Sequence, residues 1–168
     1  MIFPVQNGDG KTWRPTFYDS FGEARGTPDA PRAHQGIDIF APIGAYLYAR
    51  ATGTLKHGTD PLGGTVLTIT EPNGDRHYYA HLSEYVGSEG KVKAGDIVAR
   101  VGITGDAKGT KAHLHYEYHP GGGPAIDPYN SLVKDTRLDK TPSRWAGPLA
   151  VLALIGMALA TFVVYKDR

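Results

Sequence analysis

The stretch "HQGIDIFAP", His34 to Pro42, decides how the rest of the chain is read. Gly36 disfavours a helix, Ile37 and Ile39 favour a strand, and Pro42 stops regular structure. Side chains alternate between the two faces of a strand, so His34, Gly36 and Asp38 share one face while Ile37 and Ile39 take the other. One side is apolar and suited to a core. The other carries two residue types that bind metals, with a glycine between them that leaves room.

The same grammar continues outward. "AYLYARATGTLKHG", "GTVLTITEPNGDRHYYAHL", "VKAGDIVARVG" and "AHLHYEYH" are short, rich in β-formers and separated by glycine, proline or Asn-Gly. Asn73-Gly74 predicts a hairpin turn. No segment of this region shows convincing helical periodicity. The expected fold is mostly β, an antiparallel sandwich or folded-over barrel.

There are seven histidines. "AHLHYEY" puts His113, His115 and Glu117 on one strand face with Leu114 and Tyr116 opposite, and "RHYYAHLSEY" puts His77, Tyr79 and His81 on one face. Two histidines at i and i+2 on a strand converge on one point, as a metal site on a β scaffold requires. His57 and His119, beside turn glycines or proline, read as surface residues. The chain has no cysteine, so any metal must be held by nitrogen and oxygen. A net charge of +1 and the lack of a basic, aromatic stripe argue against nucleic acid as a partner.

His34-x-x-x-Asp38, "YAHLS" around His81 and His113-x-His115, in that order and with "VGITGDAKGT" ahead of the last pair, resemble the lysostaphin/LytM-type zinc metallopeptidases. The likeness runs from "FPV" (Phe3 to Val5) through "FGEARG" to "IDPYNSL" (Ile126 to Leu132). It implies the β fold of that family, one Zn2+ per chain held by His34, Asp38 and His115, and catalytic roles for His81 and His113. Strand parity alone does not separate His77 from His81. The family motif Y-x-H-L favours His81 and leaves His77 at the rim. The implied activity is endopeptidase cleavage in bacterial peptidoglycan, with peptide stems or cross-bridges as substrate. The rival reading is a catalytically silent peptide-binding, structural or activator protein on the same fold. The Arg25–Ala33 loop and "HPGGGPAIDP" are expected to border the groove, and Asp127 to make an Asx-Pro turn ahead of the alternative of a groove residue.

Composition divides the chain into a peptidase domain (1–132), a polar linker (133–144), an apolar stretch (145–165) and a charged tail (166–168). The 21 residues from Trp145 to Tyr165 carry no charge and predict a transmembrane α-helix that would place the chain in a lipid bilayer. Positive charges ahead of the stretch, and an N-terminus that does not read as a secretory signal, place the domain on the cytoplasmic side. The wall lies outside. A phage particle reconciles the two, so a virion membrane, with viral capsid or membrane proteins as partners, is expected ahead of a bacterial inner membrane facing the periplasm.

Overall fold

The computed structural model describes residues 1–6 and 13–138. The chain divides into two compact units, Met1–Arg137 and Leu138–Arg168, and the described residues fall in the first apart from Leu138. Eleven strands alternate with turns in chain order: β1 (Ala24–Thr27), β2 (Ala30–Ala33), β3 (Ile37–Phe40), β4 (Tyr46–Tyr48), β5 (Gly53–Asp60), β6 (Gly64–Thr70), β7 (Arg76–Ala80), β8 (Leu82–Tyr85), β9 (Gly90–Val92), β10 (Ile97–Val101) and β11 (His113–His119). Short 3-10 turns cover Gly105–Ala107 and Pro120–Gly122, and α1 spans Tyr129–Leu138.

Six strands form the main sheet in the order β3-β11-β7-β6-β5-β9, every neighbouring pair antiparallel. A second sheet, β4-β10-β8, shares one apolar core with it, in which Ile37, Ile39, Leu114, Tyr116, Ile69 and Tyr79 meet Leu47, Val98 and Leu82. Burial of each such side chain contributes roughly 1.5–3 kcal/mol, so the alternation within β3 and β11 is strongly held. The opposite face of the main sheet is left for polar side chains. β1 and β2 pair only with each other, as a separate hairpin. The β6–β7 hairpin turns through Asn73 and Gly74, and Gly74 takes a φ of 91°, which a side chain would strain.

α1 was not legible as a helix. The expected domain edge at residue 132 and the opening of the polar linker fall inside it. Its start is capped by Asp127, whose Oδ1 accepts the Tyr129 N–H at 2.8 Å. Leu132 is buried in the core, and Asp135 meets the fully buried Arg50 at 2.6 Å. The polar residues that composition assigns to a linker therefore include one half of a buried ion pair.

The expectation of a C-terminal transmembrane helix is corrected. Among the described residues no helix is long and apolar enough to cross a membrane. α1 has 10 residues, including Lys134 and Asp135, and so rises only about 15 Å against a hydrocarbon core of about 30 Å. The stretch 145–165 lies outside the described residues. The single-pass membrane location, whether in a virion or a bacterial inner membrane, is corrected with it.

Removing one partner of a buried pair leaves an uncompensated charge at a cost of about 3–5 kcal/mol. Asp135→Ala should accordingly lower the unfolding free energy of the zinc-loaded protein, read from urea titration, by an amount in that range and shift the midpoint down, with zinc content unchanged. An unaltered midpoint would show that α1 does not lock onto the core through Arg50.

Candidate metal centre

The register of two strands sets the site. Asp38 on β3 pairs directly with His115 on β11, and Phe40 pairs with His113. With Ile37 and Ile39 held in the core, Asp38 has to face outward, and the same parity turns His115 and Glu117 toward it. His34 lies just ahead of β3. Gly36 allows its approach, because a Cβ there would collide with the Tyr116 carbonyl.

Three atoms converge. His34 Nε2 lies 3.0 Å from Asp38 Oδ1 and 2.9 Å from His115 Nδ1, and His115 Nδ1 lies 3.0 Å from Asp38 Oδ1. The outward atoms of the two rings are already engaged. His34 Nδ1–H donates to the Ser20 carbonyl at 2.8 Å, and His115 Nε2–H to Glu117 Oε1 at 2.9 Å. These bonds leave three inward atoms facing one another at contact distance, which repel unless a positive charge, a metal ion or in its place a proton on a ring nitrogen, is shared among them. Bonds of about 2.0–2.1 Å from a tetrahedral zinc give donor separations of roughly 3.3 Å, close to the triangle observed. Two imidazoles, one carboxylate and a carboxylate behind one histidine make a donor set that fits Zn2+. Arg25 adds to the orientation: its Nη2 lies 3.4 Å from Asp38 Oδ2, which holds that oxygen away from the triangle.

The charges follow from these contacts. Burial would raise the Asp38 carboxyl, but hydrogen bonds from His115 and His34 override it and hold the group well below the usual carboxylate range. Burial would lower His115, but its bonds to Asp38 and Glu117 lift it to about 9. Burial and the neighbouring His113 ring push His81 below the ordinary histidine value.

His113 and His81 stand beside the triangle with their ring planes fixed. His113 Nδ1–H donates to the Lys111 carbonyl at 2.8 Å, and its Nε2 lies 3.8 Å from Asp38 Oδ1. His81 Nδ1–H donates to the Thr104 carbonyl at 2.9 Å, and its ring centre is 4.8 Å from that of His113. His81 is the one non-glycine residue among those described with a positive φ, 64°, a conformation costing on the order of 1–3 kcal/mol. The bond from its N–H to the Gly63 carbonyl at 2.8 Å holds it there.

That backbone twist corrects the parity reading of "RHYYAH". His77 and Tyr79 point into the core, both fully buried, whereas the chain leaves the strand at Ala80 and swings His81 into the cleft. His77 is no rim residue: it sits 2.8 Å from the Tyr116 hydroxyl and 2.9 Å from Glu71. His57 stacks on Tyr85 at 3.8 Å. His119, expected at the surface, is buried, with Nε2 donating to Glu117 Oε2 at 2.7 Å.

The cleft, of about 770 Å³, takes in all five expected residues, Arg25 and Arg32 of the loop expected to border it, and several that sequence reading passed over: Arg76, Tyr78, Asp106 and Glu117. Glu117 had a signal, since it shares the parity of His113 and His115. For Arg25 the sequence indicated only a place on the groove border, because its approach to Asp38 depends on how the β1–β2 hairpin folds back.

Residues 32–128, more than half of the chain, match Peptidase family M23. The chain belongs to that family. Two curated relatives are DD-carboxypeptidase/endopeptidase Mpg of Neisseria meningitidis, 39% identical over 94 residues (55% of this chain, 21% of that protein), and peptidoglycan DD-endopeptidase ShyC of Vibrio cholerae, 33% identical over 89 residues (52% and 20%). The chain thus spans about a fifth of the length of these relatives. Among solved structures, a zinc-containing peptidase from Vibrio cholerae is 30% identical with a TM-score of 0.59, over 73% of this chain and 37% of that one. The catalytic domain of lysostaphin from Staphylococcus simulans is 28% identical with a TM-score of 0.61, over 77% and 98%. The resemblance to lysostaphin-type zinc peptidases is borne out.

The shifted groups predict how the M23 domain responds to pH once its metal is removed. A folded-state value of about 9 for His115, against about 6.5 unfolded, contributes stability that is complete below 6.5 and lost as pH rises through 9. Chelated protein should therefore lose stability between about pH 6 and about pH 10, while zinc-loaded protein should not show this loss. Urea titrations of both forms check this, and parallel curves would contradict it.

Proposed function

We propose that this M23 domain is a zinc-dependent endopeptidase that cuts peptide bonds in the stems or cross-bridges of bacterial peptidoglycan. His34 Nε2, Asp38 Oδ1 and His115 Nδ1 hold the metal. The observation that carries the reading is that these three inward acceptors lie beside two further imidazoles already oriented by backbone carbonyls. Bound zinc supplies Lewis acidity, polarising the scissile carbonyl and lowering the pKa of water toward about 7.

The chain's own residues supply the rest. Because His113 and His81 each donate Nδ1–H to a carbonyl, the atom each turns to the cleft is Nε2, a proton acceptor in the neutral ring. Burial keeps His81 neutral at physiological pH, the form a general base requires. An imidazole that takes a proton at Nε2 can return it to the leaving amine or hydrogen-bond the developing oxyanion. Glu117 and Ser20 hold the ligand rings still, so little reorganisation is needed during the reaction. The family relationship and the peptidoglycan activity named for the Vibrio relative support the substrate class. A catalytically silent role would require none of this proton-handling geometry.

Purified sacculi incubated with the zinc-loaded protein should release soluble peptides with new amino termini, detected by mass analysis. Chelation should stop the release and added zinc restore it. His113→Ala and His81→Ala should keep zinc and lose turnover by about 10²-fold or more, whereas His34→Ala, Asp38→Ala or His115→Ala should lose the metal. Full zinc loading with no released peptide would overturn the enzymatic reading.

A further inference from the structure

The cleft has a second charged end. Arg76 on β7 pairs directly with His119 on β11, and both side chains line the same groove as the metal triangle. Arg76 has no carboxylate within ion-pair distance among the described residues, and its buried Nε has no hydrogen-bond partner. The contact it does make is frustrated. Arg76 Nη2 lies 3.2 Å from His119 Nδ1, and the Gly123 carbonyl lies 2.8 Å from the same nitrogen. Arginine only donates and a carbonyl only accepts, so one ring nitrogen cannot satisfy both. Glu117 offers no relief: one of its oxygens accepts from His115 and the other from His119.

Resting on the peptidase reading, we infer that Arg76, with His119 behind it, forms a subsite for a carboxylate of the substrate peptide. An arriving carboxylate takes the guanidinium donors in the planar arrangement arginine favours and draws Arg76 out of its poor contact with His119 Nδ1. Spacing fixes where on the peptide the carboxylate lies. His119 is four residues beyond His115 on one strand, roughly 13 Å along the groove. An extended peptide covers that span in about four residues. The recognised group is thus an acidic residue, or a free peptide terminus, about four positions from the cleaved bond.

A ladder of peptides with a single glutamate moved position by position, each matched by its glutamine counterpart, tests this with zinc-loaded protein. At about four positions from the cleaved bond, glutamate should improve kcat/KM about 10-fold over glutamine, mainly through KM, as expected for one charge-assisted contact. Arg76→Gln should abolish that preference while the zinc content stays as in wild type. Arg76→Lys should restore part of it. Binding of the same peptides, followed by fluorescence anisotropy, needs no turnover. An Arg76-dependent glutamate preference in binding, without cleavage, would count against the peptidase reading and sustain the subsite. Absence of any position preference, or its persistence in Arg76→Gln, would overturn the subsite.

Discussion

Three electron-rich atoms held at 2.9–3.0 Å from one another are the constraint on which this structure turns. Left to themselves they would separate, so something stiffer must hold them together. The stiffness comes from the apolar face of the same strands. Ile37 and Ile39 on β3, with Leu114 and Tyr116 on β11, are fully buried, and a one-residue slip would exchange core and cleft faces. The register that hydrophobic burial selects is the one that puts Asp38 opposite His115. Packing energy is thereby converted into a preorganised cation site.

Around that centre, polar contacts fix orientation more than they add stability. Ser20, Glu117, Lys111 and Thr104 each engage the outward nitrogen of one histidine, and all four rings present the other nitrogen to the cleft. The strained backbone at His81 has the same character. It is tolerated because leaving the strand there carries one imidazole across from the core side to the cleft. Strain of this kind is expected where geometry serves chemistry rather than folding.

The sequence made much of this legible. Alternation in "GIDIF" and "HLHYE" was enough to predict strands and their inward faces, while bringing Asp38 together with His113 and His115 came from the family resemblance. What it could not supply was anything depending on a departure from regular alternation or on contacts distant in sequence. Parity grouped His77 with His81, and only the positive φ at His81 separates them. α1 was missed because its polar residues read as a linker, whereas Asp135 is matched by Arg50, 85 positions earlier. Arg25 and Arg76 reach the cleft through the fold of a hairpin and the pairing of β7 with β11. Neither leaves a trace in local periodicity. The uncharged stretch 145–165 was clear as composition, but composition does not establish a membrane helix.

The central claim is that His34, Asp38 and His115 alone supply the protein's bonds to the metal. Anomalous diffraction at the zinc edge from crystals of the zinc-loaded protein tests it most directly. The account predicts one peak within about 2.0–2.2 Å of His34 Nε2, Asp38 Oδ1 and His115 Nδ1, with His81 and His113 outside bonding distance. A peak bonded to His81, His113 or His77, or lying away from the triangle, would contradict it.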